Sequence, residues 1–317
     1  MPNLLALVPD RVVPYRAALA EFTEVAHWTR FLAAWCEPGR ATPRIGHRGT
    51  GAAREIVALH DGLLLHSVFQ PILSRATLQP VAFEALIRAE TVATAQSVSP
   101  EQLFLQGRAR ADGPLIDRLC RFLHLLNFER QAPGTAALYL NLATVHLQTV
   151  QQGQHGSFLG AMQDLCPLAP TRIILEITET QFDDREALAS IVDTFKARGY
   201  RVAIDDFGAR HSNFDRLWAL SPDIVKIDRE LLLQAQSNPR ARKVLPKIVE
   251  IIHDLGAAVV CEGIETPEQL ELAMGADVDS LQGYLFARPD RDLSPASTVQ
   301  GRGERRSGAP AYRHQAH

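Results

Sequence analysis

Five short apolar runs in this chain carry a carboxylate or an amide side chain at or near their ends. Carboxylate and amide oxygens, without clustered Cys or His, are the ligands that hard octahedral ions such as Mg²⁺ or Mn²⁺ prefer. One such acid alone is commonly a solvated loop residue or a helix N-cap, but five in series predict one metal site fed by several strands. A sixth run, DIVKID, contains Lys226. The five runs are EALIR at Glu84, LNLA at Asn141, LEITE at Glu176, IDDFG at Asp205 and CEGIE at Glu262.

The runs belong to a regular alternation of strand and helix patterns. The clearest helix is expected over 183–199, with Gly199 as its stop, and a second over 239–256, with a kink or late start at Pro246. Near-continuous apolar strands separated by helices favour a parallel (β/α)8 barrel over an open doubly wound sheet, and the chemistry of such a barrel lies at the strand C-termini. Eight strands are expected, at 66–74, 81–88, 137–143, 172–178, 201–206, 223–228, 257–262 and 280–286.

More short motifs keep the same order: FQPI at 69–72, KID at 226–228, EGIE at 262–265 and QGY at 282–284. With the runs above, they make the chain resemble the EAL-domain cyclic di-GMP phosphodiesterases of bacteria over roughly residues 55–292. The resemblance implies a TIM-like (β/α)8 barrel that hydrolyses cyclic di-GMP to linear 5′-pGpG. Cleaving a phosphodiester at neutral pH requires an activated water, shielding of the phosphate and stabilisation of the departing oxygen, all of which divalent metals supply.

The resemblance also implies the roles of the strand-end residues. Lys226 is expected to point into the site, where its ammonium orients the attacking water and offsets phosphate charge. Glu262 is expected to be the general base or a ligand of a second ion, and the sequence leaves both open. Whether one or two ions act is open as well. The implied metal ligands are Glu84, Asn141, Glu176 and Asp205 for one ion, with Asp205 bridging to a second ion held by Asp206 and Glu262.

Substrate-binding residues are implied less firmly. Arg88 resembles the arginine that contacts a substrate phosphate, the alternative being a salt bridge at the rim. Gln282 resembles a glutamine that contacts substrate or metal-bound water, the alternative being a buried amide satisfied by backbone. Gln70 and Leu86 are candidates for lining the nucleotide groove, with core packing equally expected. Glu179 resembles the glutamate that anchors the loop after the fifth strand.

That loop departs from the family pattern. The family usually continues DDFG with Thr-Gly-Tyr-Ser-Ser, whereas this chain has Ala209, Arg210, His211, Ser212 and Asn213. Arg210 replaces a glycine and so loses easy access to positive φ. Two functions therefore stand: a phosphodiesterase that retains the full ligand set, or a catalytically weak or inactive module that binds cyclic di-GMP or a protein partner. Another phosphodiester substrate is a third option, because fold does not fix function.

Composition excludes several classes of protein. With 33 basic and 36 acidic residues the formal net charge is −3, which provides no general field for a nucleic acid polymer. The apolar runs are too short for a transmembrane helix, and Asp10, Arg11 and Arg16 interrupt what would be the apolar part of a secretory signal. Four separated cysteines without CxxC spacing argue against zinc and disulfides and favour a cytoplasmic protein.

The chain is expected to have three parts. Residues 1–54 form an N-terminal segment, with one helix over 14–36 and a linker over 38–54. The apolar face of that helix packs on the barrel or a second subunit, or it binds a partner. Residues 55–293 form the barrel, and 294–317 a disordered tail. Because EAL barrels commonly pair through helices flanking the fifth-strand loop, a homodimer is expected.

Overall fold

A computed structural model describes most of the chain. The described residues are 22–36, 39–50, 54–110, 112–131, 134–142, 156–163, 165–178, 185–209 and 214–293. Several positions for which the sequence makes predictions lie outside these ranges: 1–21, Glu179, Arg210, His211, Ser212, Asn213 and the tail 294–317.

Eight strands close into a barrel, which confirms the predicted fold. Going round the barrel, their order is β4, β12, β11, β10, β9, β8, β7 and β5, and β5 pairs with β4 to close it. Seven of these strands are parallel to one another, and β4 is antiparallel to both of its neighbours. The strands are β4 Leu63–Ser74, β5 Pro80–Thr91, β7 Ala137–Asn141, β8 Ile173–Thr178, β9 Arg201–Phe207, β10 Ile224–Ile227, β11 Ala258–Cys261 and β12 Ser280–Leu281.

The antiparallel strand corrects the expectation of a wholly parallel barrel with a helix after every strand. β4 and β5 form a hairpin. Two backbone hydrogen bonds close its turn, from Ser74 N to Gln79 O at 2.9 Å and from Leu78 N to Ser74 O at 2.8 Å. The segment between them is too short for a helical crossover, which a parallel pair requires. The hairpin pairs from Leu63↔Thr91 to Leu73↔Pro80, whereas β5 pairs with β7 only up to Ala85. Its upper half therefore projects beyond the barrel as an arm.

Helices cover the outside of the barrel. The predicted helix over 183–199 is present as α5, and the one over 239–256 as α8, which contains Pro246. The last helix begins with a capping box formed by Thr266 and Gln269. No helix of the described chain combines the length and apolarity that crossing a bilayer requires. These helices are α2 Pro100–Ala109, α3 Gly113–Gln131, α4 Gly156–Gln163, α5 Arg185–Ala197, α6 Phe214–Leu220, α7 Arg229–Ser237, α8 Pro239–Asp254 and α9 Pro267–Gly275.

The segment before the barrel is a sheet with one helix, and two predictions for it are wrong in part. The expected helix over 14–36 is in its described part a strand, β1 Thr23–Glu24, followed by α1 Ala26–Ala33. The expected linker over 38–54 contains β2 Arg44–Arg48, which pairs with β3 Glu55–His60 and through it with β4. One sheet thus runs through the boundary expected between residues 54 and 55. A short strand β6, Ser97–Val98, adds to the far edge of β5.

Aromatic contacts join α1 to α3. The ring centroids of Trp28 and Phe122 are 6.3 Å apart, and those of Phe31 and Phe122 are 5.8 Å apart. The amide of Asn127 on α3 also brackets the backbone of Ile56, accepting from its N at 2.8 Å and donating to its O at 2.7 Å. The amide therefore ties α3 to β3.

A dry layer fills the barrel interior. Most of its members lie two residues away from a predicted site residue on the same strand. Residues two apart share one face of a strand, so both sets face inward. Every member is at most 5% exposed. This layer, called the floor below, lies toward the strand N-termini, beneath the strand-end residues. It consists of Ile72, Ala82, Ala137, Tyr139, Ile174, Ala203, Ile224 and Val260.

Candidate active site

The structure brings most of the predicted residues together at the C-terminal ends of the parallel strands. Asn141 and Glu176 are in register on β7 and β8, and Lys226 is in register with Val260, two residues before Glu262. Gln282 was expected inside the last strand but directly follows β12, where its N still bonds to Cys261 O at 2.9 Å. On β5 and on β7 to β11, a floor residue lies two positions before the site residue and supports it from below.

Lys226 is the centre of the site. Its side chain is 1% exposed although lysine is almost never fully buried without partners. The Nζ atom contacts carboxylate oxygens of both Glu176 and Glu262. It is also 3.1 Å from Asp205 Oδ1 and 3.6 Å from Glu84 Oε2. Four acids from four strands therefore converge on one ammonium.

The charges of this cluster do not balance. Burial opposes protonation of Lys226, but the four carboxylates outweigh it and hold the lysine pKa well above its usual range. Burial, with a smaller contribution from the neighbouring acids, raises the pKa of Glu176 and of Glu262, and the Lys226 charge only partly offsets it. With all four acids ionised, one ammonium leaves an excess of three negative charges. Such a site attracts further cations.

The donor set fits a hard divalent cation. Oxygens of Glu84, Glu176 and Glu262 all lie within 4.8 Å of one another. Glu176 Oε2 is buried and accepts no hydrogen bond from the described residues, whereas Glu176 Oε1, Asp205 Oδ1 and Glu262 Oε1 face the Lys226 ammonium. Buried polar atoms without partners are uncommon, and an absent ion is one cause. All these donors are oxygens, as Mg²⁺ and Mn²⁺ require.

Asp206 lies at the edge of this cluster. It has a left-handed backbone with φ +57, unusual for a residue other than glycine, and it is more exposed than Asp205. Partial burial, followed by the charges of Asp205 and Asp228, raises the Asp206 pKa to about 6. The strand pairing is irregular nearby, between Val225 and Ile227. Asp206 is thus electrostatically coupled to the cluster from its rim.

Amide side chains hold Glu84 in place, a feature that the sequence did not predict. Asn141 Nδ2 donates to Glu84 Oε1 at 3.2 Å, and Gln282 Nε2 donates to Glu84 Oε2 at 2.6 Å. Gln282 Nε2 also lies 3.3 Å from Gln70 Oε1, and Gln70 Nε2 donates to the carbonyl of Ala287 at 3.3 Å. The oxygen of Asn141 remains available to a metal. Gln282 therefore orients an acid rather than satisfying backbone.

Arg88 and Leu86 extend the site along the arm. They follow Glu84 at steps of two on β5, so the three side chains share one face. Arg88 pairs across the arm with His66 and donates from Nη1 to the carbonyl of Ile87 at 2.9 Å. A guanidinium has five N–H donors, so others remain for an anion.

Two cavities flank the arm and the acid cluster. One of about 670 Å³ is lined by Leu86, Phe104, Asp117, His124 and Asn141 among others. The other, of about 240 Å³, is lined by residues that include Glu84, Glu262, Gln282 and Tyr284. The larger cavity contacts β5 at Leu86 and the smaller one at Glu84, two residues away on the same face of the strand. The lining by Asp117 was not predicted, since no motif marks the helix that carries it, and Tyr284 belongs to the QGY motif but was given no role.

The EAL domain family model matches residues 57–289. The chain belongs to the EAL domain family. The cyclic di-GMP phosphodiesterase NbdA of Pseudomonas aeruginosa is 30% identical over 241 residues, covering 72% of this chain and 29% of NbdA. An uncharacterized protein of Azorhizobium caulinodans is 30% identical over 75% of this chain and 33% of its own length. The chain thus spans about a third of the length of these curated relatives.

A solved structure has a similar fold. The complex of Klebsiella pneumoniae BlrP1 with manganese and cyclic di-GMP has a TM-score of 0.61 and 26% identity. The similarity covers 71% of this chain and 56% of the BlrP1 chain.

Proposed function

We propose that this protein is a divalent-metal-dependent phosphodiesterase that hydrolyses cyclic di-GMP to linear 5′-pGpG and so lowers the level of this second messenger. The observation that carries the proposal is the convergence of Glu84, Glu176, Asp205 and Glu262 on the buried ammonium of Lys226. The similarity to NbdA and to the manganese and cyclic di-GMP complex of BlrP1 supports it. Most of the residues predicted for the site therefore lie close together, which supports the proposal.

Mg²⁺ or Mn²⁺ would be held by carboxylate and amide oxygens at the barrel mouth. The proposed ligands are the carboxylate oxygens of Glu176, Asp205 and Glu262, together with Glu84 and Asn141. Asp206 is proposed to join them from the rim. When bound, the metal activates a water and shields the charge of the phosphate.

In the proposed reaction, the water oxygen bonds to phosphorus and the bond from phosphorus to the 3′-oxygen breaks. The phosphate stays on the 5′-oxygen, and the departing 3′-oxygen gains a proton. Burial raises the pKa of Glu262, which makes its carboxylate a stronger base, and Glu262 is proposed to take a proton from the attacking water. Lys226 places a positive charge where negative charge develops.

Binding of the dinucleotide is assigned to the arm and groove. Arg88 is proposed to bind a phosphate through its fork of N–H groups, since these remain available beside the cluster. Leu86 and Gln70 are proposed to line the groove, with Gln282 orienting Glu84. Because Arg88 lies two pleats from Glu84, it would reach a phosphate other than the one being cleaved.

Incubation of the full chain with cyclic di-GMP and Mn²⁺, followed by chromatography, tests the proposal. We expect 5′-pGpG in Mn²⁺ or Mg²⁺, none in a chelator, and inhibition by Ca²⁺, whose longer bonds and looser geometry misplace the water. Glu84→Ala is the matched negative variant, because it removes a ligand without touching the floor. Steady turnover in a chelator would contradict the metal mechanism.

The runner-up is a cyclic di-GMP receptor or protein-interaction module with little or no turnover. The altered sequence after Gly208, which begins Ala209-Arg210-His211, favours it. Restoring Thr-Gly at positions 209 and 210 separates the two functions. Higher turnover or a lower Mn²⁺ requirement in the restored protein supports an enzyme with a weakened loop. Binding without cleavage by both forms, with every metal, supports the receptor.

We also propose a cytoplasmic homodimer, with the segment before the barrel as a possible surface for a protein partner. Trp218 on α6, the helix that follows the altered loop, is 57% exposed and is an aromatic side chain of the kind that is enriched at interfaces. Sedimentation should give twice the monomer mass, and Trp218→Glu should shift it to the monomer. An unchanged mass in that variant would place the contact elsewhere.

A further inference from the structure

The ammonium of Lys226 has an aromatic ring on one side as well as acids around it. Tyr139 lies on β7 two residues before Asn141, so both face the barrel interior. The Lys226 Nζ atom is 5.9 Å from the centroid of the Tyr139 ring. Cation–π attraction operates within about 6 Å of a ring centroid. Tyr139 is only 4% exposed, so water does not replace the contact.

We propose that Tyr139 is a positioning residue that holds the Lys226 ammonium against the site from below. This inference rests on the proposed function, in which Lys226 acts on the attacking water. The other members of the floor are all aliphatic, so the ring is the one floor side chain that offers a negative face. An aliphatic residue would fill the same space without attracting a cation.

The ring complements the acids rather than duplicating them. A carboxylate that coordinates a divalent cation has less negative charge to offer an ammonium. The quadrupole of the Tyr139 ring takes no part in coordination and is unchanged. Its share in holding Lys226 is therefore largest in the loaded protein, when the lysine has to be in place.

A substitution series at Tyr139 tests this role. In Mn²⁺ we expect Tyr139→Phe to keep kcat near wild type, because the ring remains. Tyr139→Leu should lower kcat about three- to thirtyfold, the range expected for losing a cation–π contact, with KM within about twofold. Phenylalanines of increasing fluorination at this position keep the ring's shape and weaken its negative face, so kcat should fall stepwise. A flat kcat across the fluorinated series would overturn the proposal.

Ile174→Ala is the matched control. Ile174 belongs to the same floor and is in register with Tyr139 on the neighbouring strand, but it offers no ring. We expect this variant to unfold at a lower temperature while kcat stays within about twofold of wild type. A loss of kcat equal to that of Tyr139→Leu would assign both effects to floor packing and overturn the specific role of the ring.

A second measurement does not depend on turnover. The ring current of Tyr139 should shift the ε-methylene signal of Lys226 upfield in protein with 13C-labelled lysine, in a chelator. That signal is assigned by its loss in Lys226→Arg. It should persist in Tyr139→Phe and move to the ordinary lysine position in Tyr139→Leu. If the wild type does not cleave cyclic di-GMP, the proposed function fails and this shift alone decides the contact; an identical Lys226 signal in wild type and Tyr139→Leu overturns it.

Discussion

Replacing Lys226 with methionine should make folding strongly dependent on divalent cations. The variant keeps the length of the side chain but removes the charge that four acids share within 3.6 Å. Removing one partner of a buried ionic cluster costs about 3 to 5 kcal/mol, because the remaining charges are left uncompensated. For a domain of this size, about 1 kcal/mol shifts the unfolding temperature by roughly 2 to 4 °C, so we expect a loss of about 6 to 20 °C in a chelator.

Mn²⁺ should restore much of this loss. Lys226 competes with cations for the oxygens of Glu176 and Glu262, so the variant should bind Mn²⁺ more tightly than wild type. Binding to the folded state alone raises stability in proportion to the logarithm of ligand concentration over Kd. The difference between the unfolding temperatures of wild type and Lys226→Met should therefore become smaller as Mn²⁺ is added. Turnover should be strongly reduced throughout, with affinity for cyclic di-GMP in Ca²⁺ changing much less.

The assay is thermal unfolding followed by circular dichroism, in a chelator and across a Mn²⁺ titration. Lys196→Met is the control, because Lys196 lies 3.6 Å from Asp223 Oδ1 at a partly exposed position. Its loss should cost no more than about 1 kcal/mol, with no dependence on Mn²⁺. Equal unfolding temperatures for wild type and Lys226→Met in a chelator would refute the electrostatic reasoning. So would a gap between them that Mn²⁺ does not change.

Three more predictions concern other parts of the molecule. Arg88→Ala should weaken cyclic di-GMP binding in Ca²⁺ calorimetry more than it lowers kcat, and the opposite weighting would place Arg88 in the chemical step. Gly283→Ala should reduce both activity and unfolding temperature, because a Cβ at this glycine would overlap the backbone of Ile264 and displace Gln282; wild-type values for both would contradict the tight approach. His124 is buried and bonded to Ser67 Oγ at 2.8 Å, and burial, followed by the charges of Arg121 and Arg88, lowers its pKa from 6.5 to about 3. Below pH 6.5 the unfolded chain therefore binds a proton at His124 that the folded chain does not, so the free energy of unfolding falls with pH, by about 2 kcal/mol at pH 5. His124→Gln should reduce that loss, as measured by urea unfolding at pH 7 and pH 5.

The barrel was predictable because strand period and burial are local properties. Glu176 and Lys226 each end an apolar run, and a parallel barrel brings strand ends to one rim. The antiparallel β4 was not predictable by the same means, because an apolar run does not indicate whether the strand pairs parallel or antiparallel with its neighbour. The clue was the short segment between Ser74 and Pro80, which cannot hold a crossover helix.

Side-chain partners set by barrel closure were also beyond the sequence. Gln70 and Gln282 lie 212 positions apart, yet their amides meet beside Glu84. The motifs marked both glutamines, but only the closed sheet puts β4 beside β12. The linker expected over 38–54 is wrong at Arg44–Arg48 for a related reason. Its glycine and arginine suggest a loop, while pairing with β3 buries Ile45 in the core.

The acid cluster links cation binding to the stability of the barrel. Burying Glu176 and Glu262 near a single ammonium is costly, which is why burial raises the pKa of both acids. The floor beneath them supplies packing but donates no hydrogen bond to the oxygens of Glu176. Because the strands fix these acids within a few ångströms, the cluster cannot relax by moving apart. A divalent cation bound there would offset the repulsion between these acids and so stabilise the folded barrel. Loss of a proposed ligand such as Glu84 should therefore weaken both metal binding and metal-dependent stability.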